Sequence, residues 1–99
     1  GNCINQLGTV RECRFPLLML VTMRGQKGEF NPWQVPMGQA TPAVLEAMNV
    51  VVEEANTAEE IVPAVDAAAR LAFGSYQAVA VLISQAVLGI KRFQDPAAR

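Results

Sequence analysis

The sequence predicts a three-layer α/β fold, three parallel strands with covering helices. Three observations predict it. Short, nearly unbroken apolar runs stand at 17–23, 50–53 and 78–84, as strands buried on both faces require. The stretches before and between them carry apolar residues at helical spacing, and the order is helix, strand, helix, strand, helix, strand.

Residues 2–13 place Ile4, Leu7 and Val10 at spacings of three, an amphipathic helix weakened by Gly8. Pro16 opens the strand 17–23, since a first strand position tolerates a missing N–H, and Val21 and Thr22 add β-branching. Residues 24–40 then turn polar, a connection longer than the roughly 2 to 6 residues usual in α/β units. Loops at the carboxyl ends of parallel strands are where such folds place ligands, so this loop is the functional candidate. Thr41 as N-cap and Pro42 at the first helical position predict a short helix over 42–48, with Val44, Leu45 and Met48 on one side. After the strand 50–53, Thr57-Ala58-Glu59-Glu60 reads as a capping box opening a helix over 58–73. That helix is expected to bury Ile61, Val62, Val65, Ala68, Ala69 and Ala72, to bend at Pro63 and to end at Gly74-Ser75. The strand 78–84 is apolar on both faces; 85–90 adds a short extension. Residues 1–90 form the domain and 91–99 a polar tail.

Ninety-nine residues make one domain that buries about two-thirds of its unfolded surface. With 52% apolar and 17% charged residues, surplus apolar surface implies a partner. A formal charge of −1 without a basic run argues against nucleic acid. No run approaches the roughly 20 apolar residues that span a bilayer, and no signal-peptide pattern opens the chain, so no membrane association and a cytoplasmic location are expected. The absence of histidine removes Ser/His/Asp and Cys/His nucleophile systems and most zinc sites. Cys3 and Cys13 would stand about 15 Å apart along one helix, too far to pair, and are expected to be small buried hydrophobes.

Gly1-Asn2-Cys3-Ile4-Asn5, Met23-Arg24-Gly25, the loop 31–38 (Asn-Pro-Trp-Gln-Val-Pro-Met-Gly) and the final strand resemble the pyrimidine-binding domain of thiamine diphosphate-dependent 2-oxoacid decarboxylases, in particular the sulfopyruvate and phosphonopyruvate decarboxylases. The resemblance extends over 1–90 and implies six parallel strands in the complete domain, of which this chain matches the last three. It implies a cofactor-activating glutamate that no residue here matches, and a Gly-Asp-Gly and Asn-Asn signature for diphosphate and magnesium that is absent. Thiamine diphosphate and magnesium are therefore expected not to be bound by this chain alone, no catalytic residue and no metal ligand is assigned, and no turnover is expected without more. By the same resemblance Asn2 and Asn5 lie near the cofactor's pyrimidine, unless they only cap and polarise a turn. Gln34 matches a glutamine facing the active site across a subunit interface. Arg24 carries the charge to hold a substrate sulfonate, phosphonate or carboxylate, or is a solvated surface arginine. Trp33 and Phe30 are expected to anchor the loop by burying their rings, Gly38 to support a turn, and Glu29 to be solvated.

Three functions follow: part of a decarboxylase with a second decarboxylase subunit as partner; a non-catalytic half domain that self-associates or binds a partner; or a small ligand-binding module using 24–38. Because the most hydrophobic strand, 17–23, falls at a sheet edge, a symmetric homodimer joined there is expected.

Overall fold

The computed structural model describes residues 2–26 and 31–88. The elements are α1 (Asn2–Cys13), β1 (Leu17–Thr22), α2 (Gln34–Ala47), β2 (Val51–Ala55), α3 (Ala58–Ser75), β3 (Ala78–Ile83) and α4 (Gln85–Leu88). The expected tail, Glu29 and Phe30 lie outside the described residues. All strand pairing is parallel and the order is β1-β3-β2. Leu17 faces Ala78 and Thr22 faces Ile83 on one flank; Val51 faces Val79 and Ala55 faces Ile83 on the other.

The alternation of side chains along β3 builds two cores. Ala80 and Leu82 join Leu7 of α1, Leu45 of α2, Met23 and Val50 on one face. Val79, Val81 and Ile83 join Ala55, Ala68 and Ala72 on the face covered by α3. Only β3 is buried nearly throughout. The strand expected to be covered on both faces, β1, is half-buried, with Leu20 53% exposed. β1 is an edge strand, and one of its flanks has no neighbour among the described residues.

Helix α2 begins at Gln34, well before the expected Pro42. Asn31 and Pro32 carbonyls accept the N–H groups of Gln34 and Val35 in a tight turn that starts the helix, and Pro36 falls within its first turn, where the missing donor is cheap. Thr41 is not an N-cap; its hydroxyl donates to the Met37 carbonyl at 2.8 Å, one turn back inside the helix. Pro42 sits in the helix interior and has no N–H for the Gly38 carbonyl. The connection after β1 is correspondingly shorter than the sequence implied.

At α3 the capping box forms only in part. The Glu60 carboxylate accepts from the N–H of Asn56 at 3.1 Å, one residue before the Thr57 cap, and the Thr57 side chain makes no capping bond. Val62 is 76% exposed, since the buried stripe runs through Ile61, Val65, Ala68 and Ala72. Gly74 lies within the helix, and Tyr76, in the left-handed conformation at φ 55°, ends it. Both cysteines are exposed, because α1 turns only its Leu7 side onto the core.

Three helices close in the same way. After α1, Arg14 and Phe15 donate to the carbonyls of Arg11 and Val10; after α2, Asn49 and Val50 donate to Glu46 and Leu45; after α3, Tyr76 and Gln77 both donate to Ala72. Arg14, Asn49 and Tyr76 hold φ of 56°, 63° and 55°, a position glycine usually fills. No helix among the described residues is long and apolar enough to cross a membrane.

A Cβ at Gly74 would meet no atom within 4 Å, so Gly74→Ala should raise stability by about 0.5 kcal/mol through lost unfolded-state freedom, read as a higher denaturant midpoint with unchanged slope.

Candidate functional site

The carboxyl ends of the three strands open on a cleft of about 230 Å³. Each strand delivers polar groups to it at the point where its apolar run stops. Arg24 and Gly25 follow β1, Glu54 and Asn56 come from the end of β2, and Ser84 follows β3. The other wall is α2, through Gly38, Gln39 and Pro42.

The turn after β1 is held by backbone packing against α2. Gly25 has φ +75°, and a Cβ there would lie 2.7 Å from the Gln34 carbonyl oxygen and the Val35 Cα. Gly38 faces it, and a Cβ on Gly38 would overlap the Arg24 carbonyl group, 2.6 Å from its carbon. Both positions need glycine because two backbones meet there. Gly38 was expected to support a turn; it instead sits in mid-helix and permits this crossing.

A reciprocal pair of glutamines holds the same turn from the other side. Gln26 Oε1 accepts from the Gln85 N–H at 2.7 Å and from the Ser84 hydroxyl at 3.3 Å, while Gln85 Oε1 accepts from the Gln26 N–H at 3.1 Å. Gln85 is only 6% exposed, so this network lies in a partly dry environment, where each bond is strengthened and a missing partner would be costly. The end of β3 and the segment after β1 are thus tied together.

A second, smaller cavity of about 180 Å³ lies between β1 and α2, lined by Gln34, Met37 and Thr41 together with Thr22 and Arg24. The structure therefore brings the two expected substrate residues together, with Arg24 bordering both cavities. Asn5 is exposed on α1, its carbonyl taking the Thr9 hydroxyl at 3.3 Å, and does not line the cleft; Asn2 is the first residue of that helix. Trp33 does not bury its ring, being 70% exposed just before α2. Glu54, Asn56, Ser84 and the two glutamines were missed from sequence. The signal was available: each is a polar residue at or just beyond the last apolar position of a parallel strand.

The cleft is lined by Arg24, one acidic residue, Glu54, the hydroxyl-bearing Ser84 and the carboxamide-bearing Gln26, Gln39 and Asn56. The donor set of its lining does not supply a magnesium site. Among the described residues no three His, Cys, Asp or Glu side chains could hold a metal ion, and the cleft's lining carries a single carboxylate, Glu54.

Over 84 residues, 84% of the chain, the sequence is 31% identical to the sulfopyruvate decarboxylase subunit alpha of Methanothermobacter thermautotrophicus. It is likewise 31% identical over 84 residues to the sulfopyruvate decarboxylase subunit alpha of Methanococcus maripaludis. The matches cover 51% and 50% of those proteins, so the chain spans about half the length of the curated relatives it matches. No family model matches, and no solved structure matches.

Replacing Gly38 by alanine would drive a methyl group into the Arg24 backbone, which has no side chain to rotate away. Gly38→Ala should destabilise the domain by about 3 kcal/mol, measured by urea unfolding.

Proposed function

We propose that this chain is part of the alpha subunit of a thiamine diphosphate-dependent sulfopyruvate-type decarboxylase, and that it supplies the groups that hold a short anionic 2-oxoacid. The observation that carries the reading is the 31% identity to two such alpha subunits along 84 residues. The geometry of the carboxyl-end cleft supports it. Arg24 borders both cavities and is the residue assigned to the substrate's sulfonate, phosphonate or carboxylate, and Gln34, in the adjoining cavity, offers a neutral donor and acceptor. The Gly25–Gly38 crossing and the Gln26–Gln85 pair keep the backbone of Arg24 in place, so little ordering remains to be done when the anion arrives. Glu54, across the same cleft, disfavours an anion set too deep and so orients the substrate's charged end toward Arg24.

The cofactor and magnesium are held with a second decarboxylase subunit, and this chain by itself does not turn over. Asn2 and Asn5 on α1 are the residues assigned to the cofactor's pyrimidine.

A second reading rests on a different observation: β1 is a parallel strand with one flank unpaired among the described residues, and Leu20 and Phe15 beside it are 53% and 54% exposed. Parallel sheets are ordinarily covered, so a non-catalytic half domain that self-associates through β1 is the alternative. Such a homodimer would bury well over about 1,200 Å² in total.

Titration of the 99-residue chain with sulfopyruvate, followed by amide shifts, should perturb Gly25, Gly38 and Ser84, and Arg24→Gln should weaken binding at least about tenfold. Equal affinity in that variant would remove Arg24 from the site. For the alternative, Leu20→Lys should halve the mass in light scattering while circular dichroism shows the chain still folded, since the side chain is exposed in one copy. A wild-type mass near 10.7 kDa would exclude self-association.

A further inference from the structure

At the opposite, amino-terminal end of the strands lies a larger cleft of about 390 Å³, distinct from the candidate site. The three helix closures meet there: Arg14, Asn49 and Tyr76, the only non-glycine residues with positive φ among the described residues, all line it. Each occupies a position where glycine would carry less strain, so each side chain is kept at a conformational cost. Strain that collects around one cavity is a pointer to function.

The charge is equally uneven. Arg11 and Arg14, one turn apart, both border the cleft, and no acidic residue among the described residues does. Neither guanidinium is paired with a carboxylate among the described residues. Two like charges at that spacing repel one another, and a bound anion would relieve the repulsion. The arginines are not required to satisfy the helix ends. The carbonyls of Val10, Arg11, Leu45, Glu46 and Ala72 already accept backbone N–H groups in the closures. Gln77 and Asn49 add neutral carboxamides and Tyr76 a phenol to the rim, while Leu7, Met48 and Val51 form an apolar floor.

We propose that this cleft is a binding site for a phosphate-class oxyanion, gripped by the Arg11 and Arg14 guanidiniums, with the neutral donors of Asn49, Tyr76 and Gln77 completing its hydrogen bonds. Planar guanidiniums match tetrahedral oxyanions two bonds at a time, and a doubly charged phosphate neutralises both. The source is either the free ion or the phosphate of a monoester whose organic part lies on the apolar floor.

The test is titration of the 99-residue chain with inorganic phosphate and with phenyl phosphate, at constant ionic strength in chloride, followed by amide shifts. Saturable shifts at Asn49, Tyr76 and Gln77 are expected. Tighter binding of phenyl phosphate identifies the ester, and equal affinity the free ion. Arg11→Gln/Arg14→Gln should weaken binding at least tenfold. Arg11→Lys/Arg14→Lys, which keeps the charge but loses the planar fork, should fall between, and Arg70→Gln on α3 should match the parent. The proposal is overturned if neither ligand gives saturable shifts by about 20 mM, well above the millimolar scale of weak binding, or if a folded glutamine or lysine double variant titrates like the parent chain.

Discussion

The domain depends on β3. Both other strands take their ladder hydrogen bonds from it, and both hydrophobic cores are seeded by its side chains, Ala80 and Leu82 on one face and Val79, Val81 and Ile83 on the other. A strand that must be apolar in every register position cannot carry a polar functional group along its length, so chemistry is displaced to its two ends. Ser84 and Gln85 at one end and Gln77 at the other are the first polar residues it permits.

The parallel arrangement then makes those two ends different. At the carboxyl ends the chain leaves the sheet toward helix starts, and the groups gathered there are a mixture of Arg24, Glu54, Asn56 and Ser84 held by glycine-to-backbone packing. At the amino ends three helices finish, each wrapped back on its own carbonyls, and the side chains brought together are Arg11, Arg14, Asn49 and Tyr76. The first end is the setting in which open α/β sheets place ligands. The second owes its cleft to helix terminations that dispense with glycine.

Much of the architecture was legible because period and apolarity report on local burial. The strand 78–84 was recognised as doubly buried, and the helices before and between the strands were found from their spacing, with α1 matching its bounds. The errors cluster where a local signal had two meanings. Thr41-Pro42 has the chemistry of a helix start, but Pro36, Gly38 and the turn at Asn31 carry the helix further back, and Thr41 bonds inside it. Gly74 has the chemistry of a helix end, yet Tyr76 performs that task. Cys3, Cys13 and Val62 were expected inside and helix phase put them outside, while Trp33, expected to bury its ring, stands exposed just before α2.

Composition and periodicity along the chain were enough for the α/β class, the number of strands and their succession along the chain, and Arg24 as the charged residue after the strand beginning at Leu17, whereas the central place of β3 in the sheet came from strand pairing. Tertiary structure alone decided that Gly25 and Gly38 touch, that Gln26 pairs with Gln85 across 59 positions, and that Glu54 faces the same cleft as Arg24. It also decided that Arg11 and Arg14 share a cavity with Asn49 and Tyr76. The reason is physical: such contacts depend on how β3 registers its two neighbours and on how α2 crosses the Arg24–Gly25 turn, and no local propensity encodes either.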